Sequence, residues 1–359
     1  MANTTFLNAL GIRLPIIQAP MAGVSTVALA AAVSNAGGLG SLGLGNATVA
    51  QAREQIQQLK QATQYPFNIN FFCHQPPVVD AALERAWLQT LRPYFAEFSA
   101  QPPPAIQALN QSFIGNQAML EMLLEERPAV VSFHFGLPEP STIAQLKAAG
   151  ICLLGCATNL AEALAIEAAG LDAIIAQGYE AGGHRGVFDP ATDLQLGLFS
   201  LLAVLHKHCS LPIIAAGGIM DGTAIAAVLQ MGASAAQLGS AFVVCSESAA
   251  TAAYRADLAS SKAFSTAVTA VISGRPARGI VNRMHTDIAQ HAEHTPSYPV
   301  TYSASKALQA AASAQGCHDF AAHWAGQSAG LARTMPAAQL VSVLAEELRL
   351  ALQAKTCSL

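Results

Sequence analysis

The sequence predicts an α/β fold in which eight parallel strands alternate with helices and close into a (β/α)8 TIM barrel, with an additional, mainly helical C-terminal and insert domain. Three observations predict it. Short β-branched runs alternate with alanine-rich stretches from the N-terminus to about residue 244, which is the pattern of βαβ units around a parallel sheet. Eight such runs can be counted, the number of strands in a closed barrel of this type. Of the 359 residues, 52% are hydrophobic and 11% charged, so the chain can bury a large core.

Taken in order, the strands are read at 15–18, 39–42, 67–72, 129–133, 151–154, 173–176, 212–215 and 235–238. The helices between them are read at 26–35, 48–64, 141–149, 160–169, 199–208 and 221–231. Thr26, Thr48 and Asp221 open three of them with the side chains that satisfy the first free N–H groups. Residues 75–128 exceed one crossover helix and are proline-rich at 76–77 and 102–104, so a helical insertion is expected there. Past residue 244 the strand pattern stops. The expected organisation is a barrel over 1–244, a helical substrate-capping domain over 245–320, and a helical segment over 321–359 packed on the barrel.

A formal charge of -4 supplies no basic footprint for nucleic acid or an anionic membrane, and a small-molecule ligand is expected instead. The seven cysteines are scattered, without Cys-x-x-Cys spacing, and read as reduced core residues. No apolar run reaches membrane-spanning length and the start lacks the basic-then-apolar pattern of a secretory leader. The expectation is a cytoplasmic monomer or homodimer. Two motifs are decoys. Gly38 to Gly43, GLGSLG, matches a dinucleotide-binding glycine pattern, but it follows a helix and forms the second strand itself, where such a pattern must follow a strand and open a helix. VTYSASK, with Tyr302 and Lys306 at dehydrogenase spacing, lies some 260 residues downstream of those glycines, too far for a compact dehydrogenase.

In a barrel the chemistry sits on loops at the C-terminal ends of the strands. The first strand runs into QAPMAG, whose Met21 and Ala22 lie in a turn small enough to let backbone approach a flat ligand. FNINFF places Asn68 and Asn70 on one face, with Asn70 nearer the mouth; a buried amide there needs partners, which a ligand's polar ring edge would supply. VSFHFG puts His134 just after the fourth strand among aromatics. A desolvated imidazole stays neutral near pH 7, as a general base requires. QGYEAGGHRG follows the sixth strand, with Gln177, Gly182 and His184 candidates for orienting a ligand, and Arg185 a candidate partner of Glu180. The pair AAGGI and QLGSAF follows strands seven and eight, where glycine backbone N–H groups and a short helix N-terminus build a phosphate site; Gly217, Gly218, Gln237, Leu238, Gly239 and Ser240 are its candidates. His285, His291 and His294 form no closed ligand set with nearby cysteines or carboxylates in the sequence, and no metal is expected.

Taken together, QAPMAGVST, AAAVSNAGGLGSLG, NINFFCH, VSFHFG, QGYEAGGHRG, AAGGIMDG and QLGSAF resemble the nitronate monooxygenases, formerly called 2-nitropropane dioxygenases. The resemblance runs from residue 14 to about 244 and resumes near 298–306. It implies an FMN-dependent barrel that oxidises alkyl nitronates, such as propionate 3-nitronate, with O2. It also implies FMN contacts from Met21, Ala22, Asn70, Gln177, Gly182, Gly218 and 237–240, His134 as catalytic base, His184 as a second active-site histidine, and Tyr298, Tyr302 and Lys306 near the substrate. Val27 stands where the family usually has proline, and Ser240 where threonine is common; serine keeps the hydroxyl, and the proline would only occupy a first helical turn. An FMN-dependent enoyl-acyl-carrier-protein reductase or quinone reductase shares the glycine pattern, and a phosphometabolite isomerase or lyase is the non-redox alternative.

Overall fold

The computed structural model describes residues 4–77, 80–106 and 111–354. Eight parallel strands form one sheet, at Ile16–Gln18, Gly40–Gly43, Phe67–Phe72, Val130–His134, Cys152–Ala157, Ala173–Gln177, Ile213–Ala216 and Ala235–Leu238. The first strand pairs with the eighth in the register Ile16 to Ala236, and a parallel bridge from Ile17 to Leu39 joins it to the second. The sheet is therefore closed, as a (β/α)8 barrel requires. Alternation along each strand divides the core. Ile16, Leu42, Ile69 and Val131 pack outward against the helices, whereas Ile17, Leu39, Val130, Leu154, Ile175 and Ile214 form an interior cluster. Helix Thr4–Leu10, which the sequence pattern did not reveal, adds Phe6, Leu7 and Leu10 to that interior.

The glycines at 38–43 serve packing. A Cβ on Gly40 would lie 1.9 Å from the carbonyl oxygen of Ala30, so glycine lets helix Val27–Asn35 press on the second strand. Thr26 caps that helix by accepting from the N–H of Leu29, and Thr48 caps Val49–Ala62 through a reciprocal capping box with Gln51.

The chain between the third and fourth strands carries two helices with different partners. Gln117–Glu126 packs beside the barrel helices, with Met119, Leu120, Met122 and Leu123 in the outer core. Ala81–Ala96 instead gives Trp87, Leu91 and Phe95 to a separate cluster with Met284, Ile288, Ala304, Leu308 and Phe320. The insertion and the region after the barrel thus share one apolar core, a combination that a division by chain order misses.

Two further expectations are corrected. The region after residue 244 is not free of strands: Thr266–Thr269 and Ala277–Ile280 pair antiparallel, and Gly183–His184 adds to their edge. Both long members are four residues with polar interruptions, too short to show a period. Residues 321–336 are mostly without regular secondary structure, apart from a 3-10 turn at Ala329–Leu331, because Gly326, Gly330 and Pro336 interrupt any helix. The C-terminal helix is Ala337–Ala354, lying against Gly222–Gln230 and Val27–Asn35 on the barrel's side. No helix among the described residues is long and apolar enough to cross a membrane. The six described cysteines are free; Cys357 lies outside the described residues.

Candidate active site

A cavity opens at the C-terminal ends of the strands, with an empty volume of about 1260 Å³ including its mouth. Strand ends, the small sheet and the 321–336 strap all contribute. Met21, Ala22, Asn70, His134, Gln177, Gly182, His184, Gly217, Gly218, Gln237, Gly239, Ser240, Tyr298 and Tyr302 line it, so most of the residues singled out in the sequence converge. Leu238 and Lys306 do not line it. The Leu238 side chain is buried in the outer core, and its carbonyl accepts from the N–H of Ala19, which does line the cavity. Lys306 is exposed, with Nζ 4.4 Å from the centre of the Tyr302 ring, one layer behind the wall.

His134 ends the fourth strand, and Asn70, on the neighbouring third strand, places its amide nitrogen 3.0 Å from His134 Nδ1 and 3.0 Å from the Ser132 carbonyl oxygen. Burial pushes the His134 imidazole down to about 4, since desolvation disfavours the charged ring. His184 is pinned by backbone pairing to Ala277, with Nε2 2.9 Å from Ser273 Oγ. Burial, then the Arg275 charge, then His134 push His184 down to about 3. Both rings are neutral at pH 7. Aromatic rings surround them: Phe135, Tyr298 and Trp324 have centroids 5.7, 5.5 and 5.3 Å from that of His184. Arg275 lies under Phe135 at 4.3 Å and donates to the carbonyls of Val187 and Phe188. Its buried positive charge sits beside the site, itself lowered to about 10 by burial.

Arg185 pairs with Asp193 through Nε and Nη2 at 2.9 and 3.0 Å, not with Glu180, whose carboxylate accepts from the N–H of Leu198 at the next helix start. That correction follows from the loop's path, which brings Asp193 under the buried guanidinium. Arg185 Nη1 also donates to the Gln177 and Gly178 carbonyls. Gln177 is tied as well, its Oε1 accepting from Gly186 N–H and its Nε2 donating to the His184 carbonyl.

Three features fit a phosphorylated, flat, polar-edged group such as a flavin. Gly217 and Gly218 line the cavity with φ of 120° and 70°, conformations that side chains rarely adopt and from which successive backbone N–H groups can cradle an anion. Ser240 opens the short helix Ser240–Val243. Gln237 Oε1 is buried without a hydrogen-bond partner while its residue lines the cavity, an acceptor left for a ligand N–H. Trp324, Tyr254, Arg275 and Ser328 were missed in the sequence; Trp324, one of two tryptophans, was the available clue, but nothing in its flanks marks it as part of a barrel mouth. His291 and His294, expected to form no ligand set with a nearby carboxylate, do bring ligating atoms within 4.8 Å of one another and of Glu293 on an exposed 3-10 turn, because the turn folds these near neighbours together; among the described residues no other feature points to an ion there.

A closed α/β barrel with a cavity at its strand ends, lined by neutral histidines and a glycine cradle, defines the class as a barrel enzyme. The nitronate monooxygenase family model matches residues 3–347, and the chain belongs to that family, whose members are flavin-dependent oxidoreductases. A nitronate monooxygenase of Pseudomonas aeruginosa is 55% identical over 346 residues, covering 96% of this chain and 99% of that protein. The solved nitroalkane oxidase from Streptomyces ansochromogenes superimposes with a TM-score of 0.89 at 40% identity, covering 98% of this chain and 99% of that one. FabK from Thermotoga maritima reaches 0.77 at 28% identity, covering 100% and 99%.

Proposed function

We propose that this chain is an FMN-dependent nitronate monooxygenase that oxidises alkyl nitronates with O2 to a carbonyl compound and nitrite, with propionate 3-nitronate the favoured substrate. The single observation that carries the reading is the convergence of a glycine phosphate cradle, a buried orphan acceptor at Gln237 and two neutral histidines on one cavity. Family membership carries the reaction type, and the alternatives drawn from the glycine pattern are not favoured by it.

When bound, the flavin supplies the electron-transfer chemistry. The protein's part is binding and electrostatics. The backbone of 217–218, the amide of Gly239 and the Ser240 hydroxyl are assigned to the phosphate, and the one cradle supports the mononucleotide FMN over FAD. Met21, Ala22, Asn70, Gln177, Gly182 and Gln237 are assigned to the ring system, with Leu238 contributing backbone alone. Tyr298 and Tyr302 face the cavity beside His184 and are assigned to the substrate, while Lys306 acts from behind Tyr302. The Arg275 charge, buried beside these rings, favours an anionic nitronate over its neutral nitroalkane.

The test separates this reading from its rivals. Purified protein should be yellow and release FMN on denaturation, as identified by mass. Mixed anaerobically with NADH, it should keep its oxidised flavin spectrum, whereas rapid bleaching would assign it to the reductases, and a colourless protein unable to take up FMN would leave only the non-redox alternative.

A further inference from the structure

We propose that Asn70 is a positioning residue that fixes the tautomer of His134, so that this histidine meets the substrate as an Nε2–H donor to a nitronate oxygen. The proposal rests on the cavity being the site of nitronate oxidation. It departs from the base role that the sequence led us to expect.

The orientation of the Asn70 amide is fixed by chemistry. The Ser132 carbonyl oxygen can only accept, so the Asn70 atom 3.0 Å from it must be the amide nitrogen. The same nitrogen lies 3.0 Å from Ser132 Oγ and 3.0 Å from His134 Nδ1; with two N–H groups to give, one serves the Ser132 carbonyl and hydroxyl together and the other is left for the ring. A protonated Nδ1 would set one N–H against another, so Nδ1 carries the lone pair. His134 is a neutral ring enclosed by Phe135 and its strand neighbours, and its remaining proton is therefore on Nε2. The strand register makes this geometry durable: Asn70 sits opposite Ser132 and Phe72 opposite His134 on adjacent paired strands.

His184 is set the other way. The single proton of the Ser273 hydroxyl goes to the Arg275 carbonyl at 3.1 Å, so Ser273 Oγ accepts from His184 Nε2–H, and His184 keeps a bare Nδ1. The two histidines differ in which nitrogen the protein holds, and so in the character of the nitrogen left over. A nitronate has already lost its α-proton and carries its charge on oxygen; it needs a donor. A neutral nitroalkane needs a base, and His134 can become one only by breaking its bond from Asn70.

Two measurements on the flavin-loaded enzyme decide the matter. Long-range proton–nitrogen correlation spectra of protein with ¹⁵N-labelled histidine, assigned against His134→Asn, should show Nε2 protonated and Nδ1 unprotonated in His134; the reverse would overturn the proposal. Asn70→Asp replaces the donor with an acceptor and should move the proton to Nδ1. The ratio of kcat/KM for neutral nitroalkane to that for preformed nitronate should then rise by about tenfold or more, as general-base catalysis becomes available. Equal losses on both substrates would also overturn the proposal. Should the aspartate variant not fold, the spectrum of the unaltered protein decides alone. The spectrum is read without turnover, so failure of the tautomer assignment is distinguishable from absence of nitronate oxidation.

Discussion

His134 and His184 are held neutral by burial, at about 4 and about 3, against roughly 6.5 for an ordinary histidine. Between those values the unfolded chain binds protons that the folded chain refuses. Stability from these rings is therefore fully present above about pH 6.5 and is lost as pH falls through the folded values, at up to about 1.4 kcal/mol per pH unit for each ring. Urea midpoints measured at pH 7 and pH 5 should fall with acid, and His134→Asn should make the fall shallower. An unchanged slope in that variant would show that the ring is not buried as described. At this scale the sequence marked the two histidines that line the cavity, because strand-end position and apolar neighbours are local. It concealed the contact of Asn70 with His134 and the pairing of Arg185 with Asp193, since both depend on which strand or loop comes alongside. The same distance in sequence hid Arg275, nearly 90 residues from the carbonyls of Val187 and Phe188 that hold it.

Among the elements, the C-terminal helix shows how closely the barrel is clad. Gly222 begins helix Gly222–Gln230, and a Cβ there would lie 2.2 Å from the backbone nitrogen of Leu348. Backbone cannot yield as a side-chain end can, so the two helices must separate. Gly222→Ala should cost about 1–3 kcal/mol, the usual range for overpacking, read as a lower thermal midpoint; a midpoint at or above that of the unaltered protein would contradict this packing. Glu347 couples the same helices by accepting from the Gly222 N–H and pairing with Arg333. The eight barrel strands were legible because most are short apolar runs between alanine-rich helices, several of them opened by Thr, Asn or Asp caps. The small sheet was not, since its strands lack alternation and gain their partner, Gly183–His184, from another part of the chain. Helix Thr4–Leu10 was hidden because its apolar residues face a barrel interior that no local pattern announces.

For the molecule as a whole, the barrel fixes the histidines and the glycine cradle, while the second core, built from Ala81–Ala96 and the 271–320 region, carries Tyr298 and Tyr302 to the same cavity. The barrel and its mouth could be read from repeat and motif. The union of the insertion with the later helices could not, because it is made by packing between segments nearly 200 residues apart. What this assembly achieves is the juxtaposition of two neutral histidines, a buried cation at Arg275 and a cavity that fits a flavin, an arrangement suited to an anion that reacts with oxygen. Its most direct test is oxygen uptake by the purified yellow protein with propionate 3-nitronate, followed beside nitrite release. The account predicts that uptake saturates with nitronate, that nitrite accumulates with it, and that NADH in place of nitronate yields neither. Rapid NADH oxidation with no nitrite from any nitronate would contradict it.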